Sequence, residues 1–275
     1  NPFNDTTWSD YPMMEIADGR LMITVNQIRD NVSWQLGFSQ SIIWQIDKAS
    51  GYAGGNLDTR LYSGINFNGK PLRNLTPVEN DRAASSGSGW YFISNRNFDS
   101  INDTFWVVEV QSDINDPNPM VDVSFSIANR KYGVPPNAHQ PNNFFLQTND
   151  ARVLDAIMEN GEIHFVGNTI NHDNQRAAIF HGILWDAPNN GTRLNIISDS
   201  TLEFGYPSIA YSGRFDGDQQ FIIGFNHSSE NVDPGMSAIH WDQFTGLSPR
   251  SLVKNGDSYI NTQSGNIMRW GDYSG

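Results

Sequence analysis

The sequence Trp270-Gly271-Asp272-Tyr273-Ser274-Gly275 repeats a pattern that already occurs twice in the chain. Its counterparts are Trp8-Ser9-Asp10-Tyr11-Pro12 near the start and Phe204-Gly205-Tyr206-Pro207-Ser208 in the last third. A chain that repeats its own opening is commonly an array of similar structural units. We therefore expect a repeat protein whose last copy, Trp270 onward, is the innermost strand of an unfinished unit, equivalent to residues 10–12.

The composition predicts strands and turns rather than helices. The 275-residue chain holds 31 asparagines and 24 glycines, and 12% of its residues are aromatic. Asparagine and glycine accept the positive φ of tight turns, whereas aromatic residues favour strands. Large all-β domains reach this length as one unit. The sequence therefore predicts a single all-β domain over residues 1–275.

Four units follow one another with the same order of apolar runs and turns. Their approximate ranges are 8–70, 71–143, 144–203 and 204–266, with the start of a fifth at 267–275. We call these four ranges units one to four. Each holds about four short apolar runs, and the second run ends at an asparagine. These are Asn26, Asn95, Asn168 and Asn226, spaced 69, 73 and 58 residues apart.

Repeated sheets of four antiparallel strands around an axis are the blades of a β-propeller. The sequence thus predicts a β-propeller of four-stranded blades, with four full units plus the start of a fifth. A β-sandwich is the alternative, but it gives no reason for one signature to recur. Four units leave unpaired edge strands. We therefore expect an incomplete or truncated ring, which further blades or a partner chain complete.

The signatures resemble those of a group of secreted bacterial propeller proteins, seen in Bacteroidetes and other surface-active bacteria. That group has repeated Tyr-Pro segments and a Trp-Gly-Asp-Tyr-Ser segment, matched here by Asp10-Tyr11-Pro12, Tyr206-Pro207-Ser208 and Trp270-Gly271-Asp272-Tyr273-Ser274. The resemblance implies export or surface attachment and a distant similarity to sialidases. The chain departs from sialidases because their Ser-x-Asp-x-Gly-x-Thr-Trp box is missing, and residues 4–8 match only its tail.

Charge and cysteine content exclude several classes of partner and site. The chain has 30 acidic and 17 basic residues, a formal charge of −13, which argues against nucleic acid and anionic membranes as partners. No apolar run approaches the roughly 18 to 20 residues that span a bilayer. The absence of cysteine excludes disulfides, thiolate zinc sites and cysteine nucleophiles. The chain begins at Asn1 without a leader, so we expect a processed mature protein or a fragment, located extracellularly or at the cell surface.

The first strand of every propeller blade lines the central channel, so equivalent first-strand residues converge there. The candidate funnel residues are Asp10, Tyr11, Arg152, Asp155, Tyr206, Asp272 and Tyr273. Such a set could bind a cation or a sugar, and a pair of its carboxylates could perform acid–base chemistry. The structural alternative is that the tyrosines pack between blades while the aspartates cap turns.

Other candidates favour structural roles. The four asparagines are interpreted as turn-closing residues with left-handed backbone. His181 and His240 occupy equivalent third strands and are interpreted as packed strand residues. Oxygen-rich loops at 99–103, 113–116, 173–174 and 216–218 make calcium the one cofactor considered, although none matches the EF-hand pattern. No nucleophile elbow, Walker loop or dinucleotide fingerprint is present.

Two functional hypotheses remain open. The first is a secreted or cell-surface propeller that acts as a binding, adhesion or assembly module for glycans or another surface protein. The second is a carbohydrate-active enzyme, either a sialidase-like hydrolase or a polysaccharide lyase, that uses the funnel; no catalytic residue and no metal ligand is assigned. The missing sialidase box, the lack of a hydrolase motif and the incomplete ring favour the first.

Overall fold

The computed structural model describes Phe3 and residues 5–17, 19–79, 89–185 and 191–270. Within these ranges the chain is all-β, which confirms the prediction from composition. Its helical turns are α1 (Trp34–Gly37), α2 (Lys48–Tyr52) and the 3-10 turn Pro141–Asn143. Asparagines make up most of the non-glycine residues with positive φ, as expected for a chain with many tight turns.

Unit one forms an antiparallel sheet in the order β1-β2-β3-β4. Its strands are β1 (Thr7–Ala17), β2 (Arg20–Arg29), β3 (Phe38–Asp47) and β4 (Thr59–Tyr62). A short hairpin of β5 (Asn66–Phe67) and β6 (Lys70–Pro71) follows and leads into unit two.

Units two and three form one eight-stranded sheet rather than two separate blades. Unit two contributes β7 (Thr76–Pro77), β8 (Trp90–Asn95), β9 (Asn102–Val110) and β10 (Val121–Tyr132). Unit three contributes β13 (Val153–Glu159), β14 (Glu162–Asn171), β15 (Arg176–Trp185) and β16 (Thr192–Ile197).

Units two and three share one sheet because their backbones pair with each other. The outer strands β10 and β16 approach closely enough to pair in parallel, at Ala128 and Thr192. At the other ends of the sheet, Glu79 and Ile157 form an isolated parallel bridge, so the eight strands make a nearly closed ring. The prediction of separate four-stranded blades is therefore wrong for these two units.

Unit four forms a five-stranded sheet, and a three-stranded sheet lies beside it. Unit four contains β17 (Glu203–Tyr211), β18 (Gln220–Ser229), β19 (Val232–Asp242), β20 (Gly246–Leu247) and β21 (Ser251–Lys254). The smaller sheet has the order β11-β12-β22. Its strands are β11 (Ala138–Gln140), β12 (Phe144–Gln147) and β22 (Ile267–Arg269).

The end of the chain pairs with a segment from its middle. β22 runs parallel to β12, which lies in the stretch between the eight-stranded sheet's two halves. Residues 271–275 of the last signature lie outside the described residues, so its expected place as the innermost strand of a fifth unit stays a prediction.

The Tyr-Pro signature is a bulge with a left-handed tyrosine. Tyr11 has φ 52° and Tyr206 has φ 54°, and the strand register shifts at both places. A bulky residue with positive φ is rare because its Cβ crowds the backbone. Two copies at equivalent points of β1 and β17 explain why the sequence signature recurs.

The repeated asparagines connect neighbouring units. The Asn26 amide donates to the Asn74 side chain at 2.6 Å and accepts from the Asn74 backbone N–H at 3.1 Å. Asn168 accepts from the Tyr206 backbone N–H at 2.7 Å, and Asn95 donates to a carbonyl at the start of unit three. These three lie within or at the end of strands, buried and without positive φ. Their interpretation as left-handed turn residues is therefore wrong.

The apolar cores lie between successive units. One cluster joins units one and two, a second joins units two and three, and a third joins units three and four. Each cluster contains buried side chains from both units. They include Ile43 and Phe92 between units one and two, Phe105 and Phe165 between units two and three, and Ile179 and Phe221 between units three and four. Each buried side chain of this size stabilises the fold by about 1.5–3 kcal/mol.

Candidate functional site

Two of the predicted funnel residues meet. The guanidinium carbon of Arg152 lies 4.3 Å from the centroid of the Tyr11 ring, within the range of a cation–π contact. Tyr11 belongs to β1 of unit one, and Arg152 directly precedes β13 of unit three, so first-strand residues of two units converge. Both side chains are buried.

Asp150 neutralises Arg152. Its carboxylate accepts from Nε of Arg152 at 2.8 Å and from Nη2 at 2.6 Å, a bidentate ion pair. The Asn97 amide donates to the same carboxylate at 2.8 Å and so connects it to unit two. Sequence reasoning missed Asp150, for which the only signal is its spacing of two residues from Arg152.

Burial raises the pKa of the Tyr11 hydroxyl well above its usual value, and the opposing charge of Arg152 does not offset this. Tyr11 therefore remains a neutral phenol at physiological pH. This neutral phenol, packed on the paired arginine, connects the first strands of units one and three.

Of the other predicted funnel residues that the structure describes, Asp155 acts on Tyr11 through its charge, but the hydrogen bonds of Asp155 and Tyr206 are to other groups. Asp155 accepts from the Ser208 hydroxyl at 2.8 Å and from the Ile209 N–H at 2.9 Å, so it links units three and four. The Tyr206 hydroxyl donates to a backbone carbonyl at 2.9 Å, and its ring stands edge-on to Trp270. Asp10 pairs with the backbone of β2 and is half-buried. Asp272 and Tyr273 lie outside the described residues.

Two carboxylates from other units, Glu79 and Asp155, act on Glu15 in β1. Burial raises the pKa of Glu15, and the negative charges of Glu79 and Asp155 raise it further, although the backbone N–H of Ile16 opposes the shift. The three come from units one, two and three. Sequence reasoning missed Glu15 and Glu79, although both lie on or beside predicted first strands.

A cleft of about 240 Å³ opens between units one and two. We call it the arginine cleft. Its lining combines aromatic, amide and guanidinium groups: Phe38, Pro71, Leu72, Arg73, Ser94, Asn95, Arg96, Asn97, Phe98, Asp99 and Trp106. Because Asn97 also binds Asp150, the cleft adjoins the buried Tyr11–Arg152 pair.

Arg73 is held in position from several sides. Its guanidinium carbon lies 4.2 Å from the Phe38 ring centroid and 5.0 Å from that of Phe98. Its backbone carbonyl accepts from the Ser94 hydroxyl at 2.6 Å. Burial lowers the pKa of Arg73 and the charge of Arg152 lowers it further, whereas the nearby carboxylates of Asp150 and Asp10 oppose the shift. A guanidinium stays charged in proteins.

Arg96 forms the other cationic side of the cleft. Its guanidinium carbon lies 4.9 Å from the Trp106 ring centroid, and its backbone N–H donates to the Tyr132 hydroxyl at 3.1 Å. Phe98, two residues later, leaves 42% of its surface exposed. Sequence reasoning missed this cleft because its walls come from separate units.

A second groove, of about 490 Å³, lies along β10. It is lined mainly by Phe67, Val123, Phe125 and Ile127, and the last three side chains come from one strand. Its polar groups are limited to serine hydroxyls and backbone, so it is less suited to specific recognition than the arginine cleft.

His164 and His181 form a buried pair between units three and four. Their Nδ1 and Nε2 atoms are 3.1 Å apart, and both rings contact Trp241. Burial lowers the pKa of His164 and lowers that of His181 well below the usual value. The prediction that His181 is a packed strand residue is confirmed by its complete burial.

Within the described ranges, no three His, Asp or Glu side chains are placed to hold a metal ion. The calcium expectation stays a prediction. The described helices are all too short or too polar to cross a membrane.

No known family model and no curated protein sequence matches the chain. One solved structure with a similar course is the catalytic domain of a GH62 alpha-L-arabinofuranosidase from Coprinopsis cinerea. It matches with a TM-score of 0.43 and 12% identity, over 96% of this chain and 73% of that one. At this TM-score the similarity supports no conclusion about activity.

Proposed function

We propose that this protein is a secreted or cell-surface binding module that recognises glycans in the arginine cleft. The observation that supports this is the half-exposed Phe98 ring beside Asn97 and two fixed arginines in one concave site. Sugars combine an apolar ring face with many hydroxyls, so a site for them needs an aromatic surface and convergent polar groups. The cleft is smaller than the roughly 300 Å³ of a drug-sized pocket and suits one sugar ring.

The propeller arrangement belongs to the same proposal. The units follow one another in chain order, each core lies between two neighbours, and first-strand residues of units one and three meet at Tyr11 and Arg152. These features support units arranged around an axis, with units two and three sharing one sheet, as a variant of the secreted bacterial propellers whose Tyr-Pro signatures this chain resembles.

A glycan-array screen of the intact chain, followed by calorimetric titration of each ligand found, tests the binding function. Replacing Phe98 with alanine removes the aromatic face, so we expect at least a tenfold loss of affinity, about 1.4 kcal/mol. The matched control is Phe244→Ala, since Phe244 is 84% exposed in a unit-four turn. Equal affinity of both variants for every ligand would remove the cleft from the proposal.

The second candidate function is a carbohydrate-active enzyme, favoured by the charges of Glu79 and Asp155 that act on the half-buried Glu15. A carboxyl with a raised pKa beside other carboxylates is the arrangement that a general acid in glycoside cleavage needs. If the chain cleaves a glycan, Glu15→Gln is expected to lower kcat by about 100-fold or more. Asp257→Asn, at a 93% exposed side chain, is the control. Binding without turnover of any ligand would reject this candidate.

A further inference from the structure

We infer that copies of this chain associate head to tail, with the open sheet face of unit four in one copy packed on the open sheet face of unit one in the next. Each unit has a preceding face, toward the unit before it in the chain, and a following face, toward the unit after it. In the described part of the chain, no apolar cluster joins unit four to unit one. This association is independent of glycan binding in the arginine cleft.

The second strand of each unit shows which side chains belong to the following face. The repeated asparagines of units one to three each form a hydrogen bond with the next unit, so they lie on following faces. Side chains two positions apart on a strand share one face. The residues two positions earlier do contact the next unit: Thr24, Ile93 and Val166. By the same register, Ile222 and Gly224 lie with Asn226 on the following face of unit four.

The residues between these positions lie on preceding faces. Three of them belong to the core shared with the unit before: Phe92, Phe165 and Ile223. Ile23 is the equivalent residue of unit one. Its cross-strand neighbours are Met14 in β1 and Trp44 in β3, and Trp44 in turn pairs with Leu61. An apolar row therefore crosses the whole preceding face of unit one.

Both open faces expose positions that are buried elsewhere in the molecule. Met14 is 70% exposed, whereas its unit-four equivalent, Ile209, is buried against unit three. Ile222 is 47% exposed, whereas its equivalents Met22 and His164 are buried. Exposed apolar side chains that continue a pattern of buried junctions indicate a surface that another sheet covers.

A second copy of the chain supplies the matching face. Every junction joins the following face of one unit to the preceding face of the next, and the two open faces are one of each kind. Asn168 accepts a backbone N–H from unit four, whereas the side chain of Asn226 makes no hydrogen bond within the described residues. Contact between unlike faces is a heterologous interface, which joins copies head to tail.

Charge permits this contact at close range and opposes it at long range. The residues that define the two faces are uncharged: Met14, Ile23, Trp44 and Leu61 in unit one, and Ile222, Gly224 and Asn226 in unit four. Each copy has a net charge of −13, so whole copies repel one another. Salt screens this repulsion, so rising ionic strength is expected to strengthen the association.

Sedimentation velocity of the intact chain at increasing protein concentration tests the inference. The mean mass is expected to rise with concentration, and to rise further when salt is added. A single species with the mass of one chain, at every concentration and at both low and high salt, would overturn the inference.

Two lysine variants test which faces meet. Met14→Lys and Ile222→Lys each place a charge on one open face, and both residues are exposed, so the fold is expected to tolerate them. Each variant alone is expected to associate at least about tenfold more weakly than the unmodified chain. Ile127→Lys is the matched control, since Ile127 is 47% exposed on β10, and it should leave association unchanged.

A mixture of the two variants distinguishes head-to-tail contact from other modes. The Ile222→Lys copy keeps its unit-one face and the Met14→Lys copy keeps its unit-four face, so an equimolar mixture is expected to form pairs with one intact junction. Recovery in the mixture also shows that both variants are folded. Association of Ile222→Lys alone, or a mixture that stays monomeric, would contradict head-to-tail contact.

Discussion

Two junctions of this molecule place nitrogen-rich side chains against aromatic rings, with opposite results. Between units one and two, Arg73 lies between Phe38 and Phe98 at the mouth of a cleft. Between units three and four, His164 and His181 pack against aromatic rings with no exposed surface.

The difference shows how burial determines which nitrogen group a junction tolerates. A histidine can lose its proton and enter the core as a neutral ring, whereas an arginine stays charged and must keep access to water or an anion. The unit three–four junction is thus a closed apolar contact, and the unit one–two junction is closed in its core but open at its polar end. Ligand binding is expected at the open end.

The largest expected effect comes from removing an aromatic ring at the closed junction. Phe221 is fully buried, and its ring centroid lies 4.2 Å from that of His164. Phe221→Ala is expected to lower the free energy of unfolding by about 3–5 kcal/mol, because it leaves a cavity. Chemical denaturation monitored by tryptophan fluorescence measures the change.

Phe98→Ala, at the open junction, is the counterpart of this substitution. Because Phe98 is partly exposed, we expect a loss of about 1 kcal/mol or less in unfolding free energy, even though the proposed function predicts that the same change weakens ligand binding. Similar destabilisation by both variants would contradict the distinction between a closed and an open junction.

Each of the two junctions contains one of the repeated asparagines, and replacing it is expected to have a smaller effect on stability than Phe221→Ala. Asn26 and Asn168 each accept a backbone N–H from the next unit while buried. Replacing either with alanine leaves that N–H without its acceptor, and should cost about 1–3 kcal/mol at each junction. Thermal unfolding curves of the two variants test whether the junctions are equivalent in this respect.

Asn226 is the matched control, since it occupies the same place in unit four and is only half-buried. No hydrogen bond of its side chain occurs within the described residues, so Asn226→Ala is expected to change stability by less than about 0.5 kcal/mol. A loss as large as that of Asn168→Ala would show that the asparagine contributes within its own strand rather than between units.

The sequence predicted the features that are local and repeated. Alternating and apolar runs identified most strands, and the Tyr-Pro signature identified equivalent points of β1 and β17, although the bulges at Tyr11 and Tyr206 were not predicted. The spacing of the asparagines also identified a repeated structural position. Their hydrogen bonds could not be predicted, because their partners belong to the following unit.

The candidate site depends on how separate units approach one another, which no local pattern records. Phe38, Arg73 and Phe98 come from units one and two, and each is unremarkable within its own segment. The pairing of β10 with β16 was missed for the same reason, since it requires the outer edges of two units to meet at Ala128 and Thr192. First-strand convergence was the one inter-unit contact that a fold hypothesis could suggest, and Tyr11 does meet Arg152.

The buried histidines make the stability of the closed junction depend on pH, whereas the arginines of the arginine cleft stay charged and add no such dependence. Burial lowers the folded-state pKa of both His164 and His181 below the ordinary value near 6.5. Below about pH 6.5 the unfolded chain therefore binds protons that the folded chain does not, so stability falls as pH decreases. Each such histidine adds up to about 1.4 kcal/mol per pH unit to the slope of unfolding free energy against pH.

Replacing His181 with glutamine removes one of these protons, so the decline in unfolding free energy from pH 6.5 to pH 5 should become shallower by up to that slope. Glu162, 3.6 Å from His164, and the nearby charge of Arg193 act on His164 in opposite directions, so His181 is the simpler residue to test. Denaturation at pH 8, where both rings are neutral, separates the cost of lost packing from the effect of protonation. If the slope of unfolding free energy against pH is unchanged in the variant, His181 takes up a proton in the folded chain. The junction between units three and four would then open to water as readily as the arginine cleft.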